Sequence, residues 1–212
     1  MNKAPLALSL ILFAGLVIVV IITASTFPEP KRVATGDTIK SLREKGKQAL
    51  LFNKSKGYNT DFCILIDLSR HSGLKRFYLW DFKKDTIALS ALVSHGCGKM
   101  PWSATWSKDK ATLSNTDGSH CSSGGKYRLG KRGYSNWGIN INYQLHGLEK
   151  TNSNALKRQI VLHSWEKIPD EEVFPLGTPE GWGCPAISNQ VLKSIDPKLR
   201  LSKKPVLMWI YN

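Results

Sequence analysis

The sequence predicts a mostly β domain with a few short helices, preceded by an N-terminal transmembrane helix. Beyond Tyr58, short stretches of β-branched and aromatic residues alternate with turn-forming residues, which is typical of a mostly antiparallel β domain. Before this region, an uncharged apolar run from Leu6 to Ala24 approaches the roughly 20 residues that a helix needs to cross a bilayer. A chain of 212 residues can bury one full core, so we expect one folded domain and a tail.

The chain divides where its composition changes. Residues 1–27 are predicted to form a membrane anchor or signal segment, residues 28–57 a juxtamembrane helix or linker, and residues 58–212 the folded domain. The apolar run 6–24 is longer than the roughly 7–15 apolar residues of a typical signal peptide. Retention as an anchor is therefore preferred over cleavage.

Turn and capping residues place the remaining elements. A helix over 37–56 carries many charges, and a solvated helix that packs one side on the domain is preferred over a helix lying on lipid. A second helix, 188–195, is expected to end at Asp196-Pro197, and a third is expected over 152–158. Strands are predicted at 62–67, 76–82, 86–93, 126–129, 139–145, 159–162 and 206–211.

The formal net charge is +14, and the basic residues are scattered from Lys31 to Lys204. Such a charge favours acidic polymers, which include nucleic acid, anionic lipid headgroups and carboxylate-bearing wall peptides. Because the sequence has no aromatic-interleaved basic motif, nucleic acid is not expected as a partner.

The four cysteines form no Cys-x-x-Cys pair, which argues against a zinc ribbon and a thioredoxin-type redox site. Cys63 lies in an apolar strand and is expected in the core. His95, Cys97, His120 and Cys121 have zinc-ligand chemistry but irregular spacing, so no metal is expected, and no cofactor either. A disulfide between Cys97 and Cys121 is the alternative to free thiols in loops.

Cys184 is the candidate nucleophile. It follows Gly183 and precedes Pro185, and flanking glycines allow the tight backbone path that exposes a thiol. Pro185 has no N–H, so the amides of Gly183 and Cys184 are the nearest candidates for an oxyanion hole. From spacing alone, a buried structural cysteine is an equally good interpretation.

His163 is the candidate base. It ends the apolar run 159–162, and active-site residues often lie where a buried strand emerges. Its imidazole could deprotonate the thiol and later act as an acid, since its ordinary pKa lies near working pH. No acidic residue adjoins it, so the backbone carbonyl of Ser164 is the nearest orienting group. A lone histidine is otherwise most often structural.

Several passages together resemble a known domain. Gln159-Ile-Val-Leu-His-Ser-Trp is followed by Gly181-Trp-Gly-Cys-Pro-Ala-Ile, and three segments upstream add to the match: 92–98, 113–127 and 145–149. In order and spacing these resemble the murein L,D-transpeptidase catalytic domain, a divergent branch of the YkuD-type L,D-transpeptidases. This chain has Ser164 where the branch usually has Gly, and Gly181 where it usually has Ser.

The resemblance implies a β-rich L,D-transpeptidase fold over 58–212 and acyl transfer on peptidoglycan stem peptides. Cys184, activated by His163, would attack the carbonyl between the third residue and D-alanine, and the thioester would pass its acyl group to an amine of another stem peptide. Two alternatives stay open: an L,D-carboxypeptidase that uses water instead, and a catalytically silent, membrane-tethered peptidoglycan-binding module.

The same resemblance implies a location and a set of site residues. The location is the bacterial cell envelope, with an inner-membrane anchor at 6–24 and a periplasmic domain, or secretion if the anchor is cleaved. Ser119 and Ser123 could bind a stem-peptide carboxylate or only cap turns. The residues expected in catalysis are Cys184, His163, Gly183 and Ser164. Those expected in substrate binding are His95, Ser119, Ser123 and Trp182.

Overall fold

The computed structural model of the protein describes residues 36–99 and 111–212. The predicted transmembrane helix over 6–24 lies outside these residues. Within them, no helix is both long and apolar enough to cross a bilayer. The predicted β-rich domain is confirmed, because one sheet and two α-helices, with one short 3-10 turn, make up the regular structure of the described residues.

The sheet has eight strands in the order β3-β2-β1-β8-β4-β5-β6-β7. Neighbouring strands are antiparallel except for β1 with β8 and β6 with β7, which are parallel. The strands are β1 (Phe62–Asp67), β2 (Phe77–Asp81), β3 (Thr86–Ala91), β4 (Gly125–Tyr134), β5 (Ile141–Gly147), β6 (Val161–Ser164), β7 (Ala186–Ile187) and β8 (Leu207–Tyr211).

The central strand β1 is apolar along its whole length because both of its faces are covered. Side chains alternate across a strand, so Phe62 and Ile64 enter the larger core, while Cys63 and Leu65 enter a second, smaller one. Cys63 is fully buried there, as expected of a small core residue.

Helix α1 (Gly36–Lys56) covers the smaller core. It buries Leu42 and Ala49 against the sheet and leaves much of its opposite side exposed. The ammonium group of Lys45 lies 4.4 Å from the ring centroid of Trp209, so the helix also holds β8 through a cation–π contact.

Helix α2 (Asn189–Arg200) continues past the proline that was expected to end it. The prediction of a stop at Asp196-Pro197 is wrong because this proline lies in the last turns, where its carbonyl still accepts from the N–H of Leu201 at 3.0 Å. Ile195 and Leu199 are buried in the larger core on either side of it. The free energy gained by burying these side chains offsets the loss of the one hydrogen bond that proline cannot make.

The helix predicted over 152–158 is also wrong: the chain forms a 3-10 turn at Lys150–Asn152 and then non-helical turns. The Asn152 side chain donates to the carbonyl of Lys126 at 2.8 Å and accepts from the N–H of Glu149 at 2.9 Å. Such side-chain bonds to the backbone compete with a regular helix.

Candidate active site

Strand β6 brings His163 into the site. It lies between β5 and β7, so His163 pairs with Asn142 on one side and with Ala186 on the other. Cys184 lies two residues before Ala186 and enters beside β6. The N–H of Val161 donates to Cys184 Sγ at 3.4 Å. His163 and Cys184 therefore line one cleft.

The cleft has a volume of about 770 Å³, which is within the usual range for ligand pockets. Its wall combines aromatic surfaces with a few polar groups. Near Cys184 and His163 it is lined by Trp137, Asn142, Arg158, Gln159, Trp165 and Trp182.

The imidazole of His163 is oriented by the backbone. Nδ1 lies 2.9 Å from the carbonyl oxygen of Ser164, and because a carbonyl can only accept, Nδ1 carries the proton and donates. Nε2 is then the unprotonated, basic nitrogen. Burial lowers the pKa of His163, against the opposing effects of the Ser164 carbonyl and the Glu166 carboxylate. Burial thus favours the neutral imidazole.

The surroundings of the Cys184 thiol also favour its neutral form. Burial raises its pKa, while the N–H of Val161 and the positive charge of Arg158 act in the opposite direction. Raising the thiol pKa and lowering the imidazole pKa both disfavour a resting thiolate–imidazolium pair. The arrangement therefore suits proton transfer to His163 during attack, rather than a standing ion pair.

Gly183 shapes the backbone path that leads to Cys184. Its φ is +104°, and a Cβ at this position would lie 2.4 Å from the carbonyl oxygen of Cys121. The hydroxyl of Ser122 donates to the Gly183 carbonyl at 3.3 Å, and that of Ser94 to the Cys184 carbonyl at 3.4 Å. Only glycine fits this path, and hydroxyls on two neighbouring segments fix it.

The family model of the L,D-transpeptidase catalytic domain matches residues 37–211. This chain belongs to that family. The match includes helix α1 together with the sheet and the segments that carry His163 and Cys184. It confirms the resemblance found in the sequence motifs. No curated protein matches the chain.

Several solved structures are similar to this L,D-transpeptidase domain. An L,D-transpeptidase from Xylanimonas cellulosilytica shares 12% identity, with 76% of this chain and 68% of that chain covered and a TM-score of 0.41. An L,D-transpeptidase of Enterococcus faecium shares 11% identity, with 71% of this chain and 50% of that chain covered and a TM-score of 0.42. The helical cell shape determining protein of Campylobacter jejuni shares 13% identity, with 73% of this chain and 48% of that chain covered and a TM-score of 0.46. The chain thus spans about half the length of the last two.

Trp182 is the predicted substrate-binding residue that lines the cleft of this L,D-transpeptidase domain. Its side chain is 60% exposed although it lies two residues from Cys184. It stacks on His120, with ring centroids 4.9 Å apart and planes inclined by 16°. The indole forms part of the cleft rim.

The hydroxyls of Ser119 and Ser123 point to the backbone. Ser119 Oγ accepts from the N–H of Cys121 at 3.4 Å, and the buried Ser123 donates to the carbonyl of Ser114 at 2.8 Å. Neither residue is among those that line the cleft. The contact of Ser119 is that of a turn cap, whereas Ser123 bridges two segments of the chain and also accepts from Nη1 of Arg158 at 2.6 Å.

His95 lies beneath the cleft wall, with 0% of its side chain exposed. Nδ1 accepts from Nη2 of Arg76 at 2.8 Å, and Nε2 lies 3.1 Å from Oε1 of Glu180. Both ring nitrogens face buried partners, which corrects the expectation that His95 contacts substrate. The backbone of His95 accepts from the N–H of Gly181 at 2.9 Å, so this network anchors the segment that leads to Cys184.

Arg158 is the site residue that the sequence did not reveal. It lines the cleft, and its guanidinium donates to the carbonyl of Cys121 at 2.6 Å and to Ser123 Oγ at 2.6 Å. The only signal in the sequence is a basic residue five positions before His163. Nothing in that spacing distinguishes it from a solvated arginine.

All four cysteines are free thiols, so the alternative of a Cys97–Cys121 disulfide is not formed. Cys184 is partly accessible, whereas Cys63, Cys97 and Cys121 are buried. Within 36–99 and 111–212, no group of three or more His, Cys, Asp and Glu side chains is arranged to hold a metal ion.

Proposed function

We propose that this domain is an enzyme, a peptidoglycan L,D-transpeptidase that works through a thioester on Cys184. One observation carries the proposal. The bond from His163 Nδ1 to the Ser164 carbonyl leaves Nε2 as a base in the cleft that Cys184 also lines. A nucleophile, a base and a group that orients the base are the usual parts of a thiol acyltransferase.

The reaction begins with proton transfer from the Cys184 thiol to Nε2 of His163. The sulfur attacks the carbonyl carbon between the third residue of a stem peptide and D-alanine. Collapse of the tetrahedral intermediate breaks the C–N bond, and the imidazolium gives its proton to the leaving amine of D-alanine. His163 then deprotonates an amine of a second stem peptide, which attacks the thioester and regenerates the thiol as the crosslink forms.

Backbone amides are the proposed oxyanion donors. In the described part of the chain, no acceptor takes the N–H of Gly183 or of Cys184. Fixed amides at the nucleophile stabilise the charge of a tetrahedral intermediate without reorganising. Gly183 and Ser164 are therefore assigned to the catalytic machinery through their backbone atoms.

The proposed site of action is the bacterial cell envelope, where stem peptides are found. There, residues 6–24 would hold the domain at the inner membrane with the cleft on the periplasmic side. Digestion by protease added to spheroplasts, but not to intact cells, is the expected result. Full protection in spheroplasts would contradict this location.

The function is tested by mass spectrometry of disaccharide-tetrapeptide muropeptides incubated with the purified full-length protein. Crosslinked dimers that have lost D-alanine establish transpeptidation, whereas tripeptides without dimers establish the carboxypeptidase. Cys184→Ala must abolish either product, and Cys97→Ala, which removes a buried thiol, is the control. No thiol-dependent product from a folded protein would overturn the enzyme and leave the peptidoglycan-binding module.

A further inference from the structure

Arg158 is held rigidly in the cleft wall. Its guanidinium makes three hydrogen bonds: Nη1 donates to the carbonyl of Ser114 at 3.0 Å and to Ser123 Oγ at 2.6 Å, and Nη2 donates to the carbonyl of Cys121 at 2.6 Å. The side chain is half-buried. A guanidinium fixed in this way loses little further entropy when it binds a ligand.

The guanidinium lies beside the nucleophile. Nη2 would be 3.1 Å from a Cβ placed on Gly183, the residue that precedes Cys184. Arg158 and Cys184 both line the cleft, and the arginine charge lowers the pKa of the thiol, although by less than burial raises it. A ligand atom next to the thiol is therefore within the field of this charge.

The charge of Arg158 is not neutralised. All three acceptors are uncharged, and in the described part of the chain no carboxylate pairs with it. The neighbouring Lys157 is different, because its ammonium group lies 3.3 Å from the carboxylate of Asp117. The three bonds use three of the five N–H donors of a guanidinium. A half-buried, unneutralised arginine with remaining donors attracts an anion, and a carboxylate fits it best.

We propose that Arg158 determines specificity: it forms an anion subsite beside Cys184 that binds the terminal carboxylate of a peptide whose last amide bond is attacked. This inference rests on the proposed function. In such a substrate the leaving amino acid carries its α-carboxylate one carbon away from the amide nitrogen. The subsite thus selects terminal amide bonds over internal ones, whose leaving residue has no carboxylate in that place.

The subsite is tested first without any peptide, by comparing alkylation of Cys184 with iodoacetate and iodoacetamide. In both reactions the sulfur displaces iodide, but only iodoacetate carries a carboxylate. The ratio of the two rate constants cancels changes in thiol pKa. N-acetylcysteine gives the reference ratio, and the Cys184-containing peptide is quantified by mass spectrometry.

We expect the ratio in the wild-type protein to exceed the reference by about tenfold, as for a single charge near a partly solvated site. Arg158→Gln should return it to the reference. Arg158→Lys, which loses the forked hydrogen bonds but keeps the charge, should retain most of the preference, whereas a purely structural role would affect both variants alike. Arg128→Gln, at a half-buried arginine outside the cleft, is the charge-matched control. A wild-type ratio at the reference, or an unchanged ratio in Arg158→Gln, overturns the subsite.

The substrate assignment is tested by comparing a tetrapeptide stem with its C-terminal carboxamide. The wild-type enzyme should process the acid with about tenfold higher kcat/KM. Arg158→Gln should process both peptides with equal kcat/KM, mainly because the value for the acid falls. Equal rates for the two peptides in the wild type would overturn the assignment while leaving the thioester chemistry intact. Preference for iodoacetate without any muropeptide product would instead overturn the proposed function and leave the anion subsite.

Discussion

One polar cluster lies at each end of the segment 180–184, and the two clusters differ in their access to the cleft. The cleft cluster consists of Cys184, His163 and Arg158, all of which line the cavity. The buried cluster consists of Arg76, His95 and Glu180, whose side chains are at most 1% exposed. Both clusters contain a histidine and an arginine, so residue type alone does not separate them.

The difference lies in what surrounds the polar groups, which is buried protein in one cluster and the open cavity in the other. In the buried cluster, Arg76 donates to the Val93 carbonyl and to Nδ1 of His95. Glu180 lies on the other side of the imidazole, with Oε1 3.1 Å from Nε2. Burial lowers the pKa of Arg76, and the nearby carboxylates of Asp67 and Glu180 oppose this effect. In the cleft cluster, His163 and Arg158 keep hydrogen-bonding groups available to a ligand in the cavity. The buried cluster therefore supports the segment, and the cleft cluster is left to react.

The largest expected effect is on catalysis in the cleft cluster. His163→Gln should lower kcat by about 10²–10⁴-fold, because the general base is lost, without changing the urea midpoint of unfolding at pH 7. Muropeptide turnover, followed by mass spectrometry, measures it. His146→Gln, at a half-buried histidine on β5 outside the cleft, should keep full activity. Full activity in His163→Gln would remove the distinction between the clusters.

In the buried cluster the large effect should fall on stability. Glu180→Gln removes the buried carboxylate that lies 3.1 Å from His95 and that, together with Asp67, acts on the charge of the buried Arg76 guanidinium. It should lower the free energy of unfolding by about 3–5 kcal/mol. Urea denaturation measures it. The double variant Arg76→Met with Glu180→Leu should lose less than Glu180→Gln, since no unpaired charge remains. If Glu180→Gln unfolds at the wild-type midpoint, the cluster does not support the segment.

A smaller effect is expected in the segment between the clusters. Gly183→Ala forces a Cβ into positive φ and against the Cys121 carbonyl, and should destabilise the fold by about 1–3 kcal/mol. It should also slow the alkylation of Cys184. Gly118→Ala is the control, because Gly118 has φ of +72° but no atom within 4 Å of the added Cβ. Equal losses in the two variants would mean that the contact with Cys121 contributes nothing.

The smallest effect is the pH dependence that His163 gives to stability. Because burial lowers its pKa from the ordinary value near 6.5, the unfolded chain binds its proton first on acidification. Stability from this residue is therefore complete above that pH and is lost as the pH falls below it, by at most about 1.4 kcal/mol per pH unit. The free energy of unfolding, measured in urea at pH values from about 7 to 5, should fall less steeply with decreasing pH in His163→Gln than in the wild type. A slope unchanged by the substitution would contradict the lowered pKa.

The sequence predicts this molecule best where local patterns are strong. The run 62–67 coincides with β1, whereas the strand predicted over 159–162 is displaced by two residues, since β6 covers Val161–Ser164. Arg158 could not be found in this way, because its acceptors Ser114, Cys121 and Ser123 lie far from it along the chain.

The burial of His95 could not be predicted from the sequence, because its partners also lie far from it along the chain. It depends on Glu180, which reaches His95 only after the segment before the nucleophile pairs with the loop after β3. The extent of α2 depended on burial in the core, which outweighed the local preference of Pro197 to end a helix.

The position of β8 has a consequence for how the protein is made. Although β8 follows every other described strand in the sequence, it lies in the middle of the sheet, hydrogen-bonded to β1 on one side and β4 on the other. A nascent chain that has not reached residue 207 holds two partial sheets with unpaired edges facing each other. The native sheet therefore cannot close before β8 has been synthesised, and its longest-range strand pairings form last.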